Sequence, residues 1–207
     1  LGLLRSPITF DNSNGVTDPS DEAAYIFTDG TQRNYRGGGG YDNPYWTINK
    51  NPYTDEVNRI YGFTSVSYDV TNWLNVFYRV GTDTYSDERQ QVLALGSNTA
   101  PSGRIYYEKH NYRHINSDLW VTAQRDFTEK FSGSLLVGNN LFSKSYSKIY
   151  TQGDGFVVPD FNHISNASST FSRYVYDAKK TAAIFGEAKL SYDDWIFLDL
   201  TGRNEWS

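Results

Sequence analysis

Six groups of side chains in this 207-residue chain invite a chemical reading. Asp11, Asp18, Asp21 and Glu22 are carboxylates in a turn-rich stretch, and the distance from Asp11 to Glu22 matches the ends of a calcium-binding EF-hand loop. Gly15 falls one place early for that loop and no helices flank it, so a solvated loop is favoured. Gly37–Gly40 has the composition of a phosphate cradle, but no Lys-Ser/Thr follows and no strand–helix context surrounds it. Four glycines instead let backbone pass close to something bulky. His163, with Asp154 and Asp160, offers metal donors, yet a lone His in an Asn/Ser-rich segment reads as solvated. Asp193-Asp194 is the acidic pair that a glycosidase would need, placed at a hairpin turn where such residues are routine. Neither an enzyme nor a cofactor site is expected. That leaves two groups suited to binding. Tyr41, Asn43, Tyr45 and Trp46 put large rings on a backbone constrained by Pro44, where they either touch cargo or pin a long loop. Arg79, Asp83, Glu187 and Arg203 stand in the middle of strand patterns, where they hydrogen-bond cargo or pair across neighbouring strands.

The elements that position those charges are strands. From Thr181 to Tyr192, Ala182, Ile184, Gly186, Ala188, Leu190 and Tyr192 alternate with Thr181, Ala183, Phe185, Glu187, Lys189 and Ser191. After Asp193-Asp194 the alternation resumes, with Ile196, Leu198, Leu200 and Gly202 opposed to Phe197, Asp199, Thr201, Arg203 and Glu205. Successive strand residues point to opposite faces, so this hairpin has one apolar face and one carrying charge. Helical spacing would scatter the charges among the apolar positions. A second hairpin sets Ile60, Val66, Tyr68 and Val70, then Leu74, Val76, Tyr78 and Val80, against a face with Arg79 and Asp83. A third, weaker one spans Asp118 to Phe142, where Asn139 interrupts the face of Leu135, Val137 and Leu141. Long polar stretches, about residues 86–117 and 143–180, separate the hairpins and are expected as loops. Residues 1–59 show little periodicity and are expected as mostly one long extracellular loop, with Leu1–Leu4 the end of a strand.

Short turns near residues 71, 129 and 193 recur at intervals of roughly sixty residues, each flanked by aromatics. Strands of about eleven residues, short turns at one end, long loops at the other and rings beside the short turns describe part of a large antiparallel transmembrane β-barrel. The expectation is all-β: a six-stranded piece of one barrel domain over residues 1–207, with three hairpins in 60–207 and no plug domain. Composition agrees. Seventeen Tyr, 12 Phe and 5 Trp make 16% of the chain, a load suited to membrane interfaces or to stacking on cargo. A net charge of −5 without a basic stripe argues against nucleic acid. Zero cysteines exclude a disulfide framework. With no starting Met and an end inside a strand pattern, the chain reads as an internal fragment. The alternative is a secreted carbohydrate-binding β-sandwich module that uses Tyr41, Tyr45 and Trp46 as a stacking platform.

Three stretches carry a family resemblance: GGGGYDNPYWTINKNPYTDEVNRIYG at 37–62, DVTNWLNVFYRVGTDTYSDERQQ at 69–91 and FGEAKLSYDDWIFLDLTGRNEWS at 185–207. Together they resemble the SusC/RagA family of TonB-dependent outer-membrane transporters of Bacteroidetes. The resemblance implies a 22-stranded barrel in the bacterial outer membrane with an N-terminal plug. It implies a SusD-like surface lipoprotein as lid, energy from the TonB complex through parts outside this chain, and nutrient uptake in the form of oligosaccharide (glycan) or peptide import. Outer-membrane lipid would surround the barrel. Tyr41, Asn43, Tyr45, Trp46, Arg79 and Asp83 are the candidate substrate contacts.

Overall fold

The structure, a computed structural model, describes residues 2–36 and 40–207. Of the glycine run Gly37–Gly40, Gly37–Gly39 lie outside the described residues, and Gly40 takes a left-handed φ of 94°. The elements are α1 (Gly2–Arg5), a 3-10 turn at Glu22–Ala24, α2 (Pro44–Lys50), β1 (Tyr53–Thr71), β2 (Leu74–Ser97), β3 (Ala100–Asp126), β4 (Phe131–Phe156), a second 3-10 turn at Ile164–Asn166, β5 (Ala167–Tyr192) and β6 (Ile196–Trp206). The strands form one antiparallel sheet in sequence order, β1 to β6. That meander is the topology of a barrel wall. A sandwich needs a second sheet, and the described residues supply none. The sheet is open, and the bare backbone edges of β1 and β6 are the sites where a closed barrel continues.

Two expectations are corrected. Residues 86–117 and 143–180, read as long loops, are mostly strand: β2 to β5 run for 24, 27, 26 and 26 residues. The connections at that end shrink to residues 98–99 and 157–166. The reason is that both faces of these extensions carry polar side chains. A period of two in hydrophobicity is therefore absent even though the backbone is paired. The expected strand end at Leu1–Leu4 is also replaced, because Gly2–Arg5 forms a single helical turn.

By packing, the chain divides into two units, one of Leu1–Val57, Asp87–His110 and Lys148–Val175, the other of Asn58–Ser86, Asn111–Ser147 and Tyr176–Ser207. The first unit has the two small cores. Ala24, Tyr25, Trp46 and Ala94 make one, with Tyr45 packed against it; Val92, Ile105 and Phe156 make the other. The second unit holds the three short turns. Asp193 and Asp194 take left-handed φ of 52° and 58°, which Asp tolerates better than most residues. The Asp193 amide donates to the Lys130 carbonyl at 2.7 Å, tying two of these turns together.

The register of the last hairpin is Ile184 opposite Asn204, Ala188 opposite Leu200 and Leu190 opposite Leu198, with Phe185 opposite Arg203 and Lys189 opposite Asp199 between them. Both faces thus match the alternation read from sequence. In the second unit the apolar face is bare: Ile60, Val66, Leu135, Val137, Ile184 and Leu200 are all exposed. The opposite face is laced together by rings and charges. Phe77 stacks on Trp120 at 4.1 Å, and Gly138 leaves room for Phe185 to lie beside them. A Cβ at Gly138 would stand 2.7 Å from both Phe185 Cζ and Trp120 Cβ.

Candidate functional site

The charged face holds the candidate site, described first in the second unit. Arg59 Nη2 and Nε donate to the two carboxylate oxygens of Asp83 at 2.7 and 2.8 Å. Arg79 donates twice to Asp118 Oδ2, at 2.8 and 3.2 Å, and Asp118 also accepts from Asn116 at 2.9 Å and Asn140 at 2.7 Å. Asp118 is buried, so its charge is balanced by donors rather than by bulk water. Tyr85 stacks on Tyr112 at 5.1 Å, with the Lys144 ammonium 5.6 Å from the Tyr112 ring. Further along the hairpins, Lys189 pairs with Glu187 at 2.5 Å and Arg203 with Glu205 at 2.7 Å. Arg79, Asp83, Glu187 and Arg203 are each ion-paired, though with other residues than one another.

In the first unit the same strand faces carry Asp87–Arg89 at 2.6 Å, Glu108 between Lys148 at 3.0 Å and His110 at 2.9 Å, and an Arg104–Asp154 pair. Burial pushes the Glu108 carboxyl up, but hydrogen bonds from Lys148 and His110 outweigh it and hold the group below the usual carboxylate range. The Arg89 guanidinium holds Asp87 low in the same way. Beside these pairs a cavity of about 510 Å³ opens, lined by Tyr53, Arg89, Gln91, Tyr106, Glu108 and Tyr150. The Tyr106 and Tyr150 rings lie 6.2 Å apart and tilted, and Phe171 meets the far edge of Tyr150 at 6.4 Å. With the charges satisfied by one another, the remaining binding capacity of this groove is ring surface and what the tyrosine hydroxyls keep: Tyr106 accepts from Arg104 and can still donate, and Tyr150 donates to Gln152 and can still accept. Stacking and hydrogen bonding are the interactions such a surface can offer a solute.

The loop residues proposed from sequence sit elsewhere. Asn43 caps α2, accepting from the Tyr45 amide at 2.8 Å, while its own amide donates to the carbonyls of Asn12, Ala24 and Arg33. Trp46 is buried and its indole N–H donates to Ser97 Oγ at 3.0 Å. Tyr45 is half-buried against the same core. Tyr41 lies 4.7 Å under the Arg5 guanidinium, and its carbonyl accepts from Asn98. In this arrangement the four pin the loop. The carboxylate of Asp11 accepts from the Ser13 and Gly15 amides, and His163 caps the Ile164–Asn166 turn through Ser165.

Sequence reasoning missed Tyr53, Tyr106, Glu108 and Tyr150 because all four lie in stretches read as loops. A signal was present. Alternate residues from Arg104 through Tyr106, Glu108, His110, Tyr112, His114, Asn116 and Asp118 to Trp120 are without exception polar or aromatic. A search for polar–aromatic periodicity, rather than hydrophobic periodicity, finds that strand.

No protein-family profile and no curated sequence matches the chain. Solved structures do. The structure of the RagAB peptide transporter superposes with a TM-score of 0.72 at 13% identity, over 87% of this chain. The RagAB peptide importer in its open-open state gives 0.72 at 13% over 93%, and the closed-closed state 0.67 at 13% over 87%. The chain spans 20% of the length of each of these matched chains. At that identity the likeness is one of fold: an all-β sheet that matches a segment of a much larger barrel.

Proposed function

We propose that this chain is a segment of the barrel wall of a SusC/RagA-type, TonB-dependent importer in the bacterial outer membrane. The observation that carries the reading is the division of the sheet in the second unit. One side is an exposed apolar surface that suits lipid, and the other is a hydrated surface of ion pairs and rings that suits a transport path. The likeness to peptide transporters supports it and favours oligopeptides over oligosaccharides as cargo. The protein binds and passes its cargo without changing a covalent bond. A SusD-like lipoprotein would close the outer mouth, and the TonB complex would act through other parts of the barrel. The cargo contacts we assign are Tyr53, Tyr106 and Tyr150. Of the earlier candidates, Tyr41, Tyr45 and the charged pair members Arg79 and Asp83 keep surface accessible to a solute, whereas Asn43 and Trp46 are buried.

The test is uptake of a fluorescent oligopeptide by cells producing the intact barrel, with and without Tyr106→Ala/Tyr150→Ala. Stacking on two rings at about 0.5–1.5 kcal/mol each predicts roughly a tenfold loss of apparent affinity at equal barrel abundance. Peptide uptake unchanged by deletion of the whole protein would overturn the importer reading. Uptake lost on deletion but untouched by the tyrosine pair would overturn only the site.

A further inference from the structure

We propose that a groove on the apolar side of the second unit binds the phosphate headgroup of a membrane lipid. On that side β2 presents Val76, Tyr78 and Val80, then Thr82, Thr84 and Ser86; β3 presents Val121 and Leu119, then Arg113 and Asn111. The hydrogen bond from Ser117 Oγ to the Tyr78 hydroxyl at 3.2 Å fixes these two series on one face. Where the apolar residues give way to hydroxyls and amides, a cavity of about 550 Å³ opens, lined by Ile60, Thr84, Arg113, Ser145, Ser147 and Tyr176 among others. Its lining contains no carboxylate. The lining's other guanidinium, Arg59, is neutralised by Asp83, whereas Arg113 has no ion-pair partner among the described residues.

A free guanidinium ringed by hydroxyl donors is anion chemistry, and its planar fork fits a phosphate with two parallel hydrogen bonds. The position selects a lipid as the source. Ile60 and the ring of Tyr176 continue the apolar face into the groove, so an amphiphile is gripped at both its phosphate and the start of its chains. A free phosphate ion would use only half of the lining. The inference rests on the proposed barrel reading for one point alone, that this face meets lipid.

The experiment is native mass spectrometry of the intact barrel in detergent, titrated with dimyristoyl phosphatidic acid, with dimyristoylglycerol as the phosphate-free control. Wild type is expected to retain phosphatidic acid about tenfold better than the diacylglycerol, and Arg113→Gln to lose that preference. Ser147→Asp, which places a carboxylate in the groove without removing the guanidinium, is expected to weaken retention in the same direction. Arg113 has no partner among the described residues to lose, and heat-dependent gel mobility of each variant verifies that the barrel is folded. Equal retention by folded wild type and Arg113→Gln sinks the proposal. Displacement of the lipid by millimolar inorganic phosphate also sinks it, by making this a site for free anions. Failure of the underlying reading looks different: the intact protein would then be monodisperse without detergent.

Discussion

Leu200→Arg is the substitution that tests the assignment of faces most directly. Leu200 is 58% exposed, lies opposite Ala188 and is four residues beyond Ile196, next to the short turn and Trp195. At about 3.4 Å per residue and a tilt near 40°, it stands about 10 Å above the level of Ile196, close to the middle of an apolar band about 25 Å tall. An Arg on the lipid side at that depth costs about 2–4 kcal/mol. The neighbouring Thr201 points to the other face, opposite Glu187. Thr201→Arg places the same side chain in water beside a carboxylate and is expected to change stability by less than about 0.5 kcal/mol. The assay is urea unfolding of the intact barrel in phospholipid vesicles, followed by tryptophan fluorescence, with the two variants compared at constant slope. A difference of about 2 kcal/mol or more supports lipid on the Leu200 side. Equal costs, or a larger cost at Thr201, would refute it, because a one-residue step along a strand must exchange the two solvents.

Two further outcomes follow from the charged face. Asp118→Ala strands the Arg79 guanidinium, while the Asn140 amide keeps Asn116 Oδ1 as an acceptor at 2.8 Å, and since Arg79 remains half-exposed the expected loss is about 2–3 kcal/mol, less than for a fully buried pair. Arg79→Gln in the same background should cost little more, and a fully additive double mutant in the same urea assay would contradict the coupling. In the first unit, Asp87 is held low by Arg89, Glu88 by Lys109, and Glu108 by Lys148 and His110 against the upward push of burial. Depressed folded-state values mean that this stabilisation is complete above the unfolded carboxylate range and is lost as pH falls below about 4, through the lowered values. Hydrogen exchange in residues 87–110 and 148–156, corrected for intrinsic rates, should therefore show weaker protection near pH 3 than near pH 7. Unchanged protection would show that the ion pairs contribute nothing to these strand ends.

What the sequence determined by itself is the part of the sheet with one apolar face and one polar face. The Thr181–Ser207 hairpin, its turn and both of its faces were legible, since a period of two in hydrophobicity is a direct record of two different solvents. The halves of the six strands beside the short turns near residues 71, 129 and 193 were legible for the same reason, more weakly where Asn139 interrupts the third hairpin. Tertiary structure alone decided the rest. Beyond the apolar residues near the short turns both faces of β2 to β5 carry many polar side chains, so no two-residue hydropathy period separated Arg104–Asp118 or Lys144–Asp154 from loop. Those segments are strands because partners across the sheet, Glu108 with Lys148, Arg104 with Asp154 and Tyr106 with Tyr150, satisfy one another. Burial of Asn43 and Trp46 was equally invisible, because the carbonyls and the serine that hold them come from residues up to 51 positions away. Local pattern records the solvent on each side of a strand; which side chains meet is fixed only when distant strands come into register.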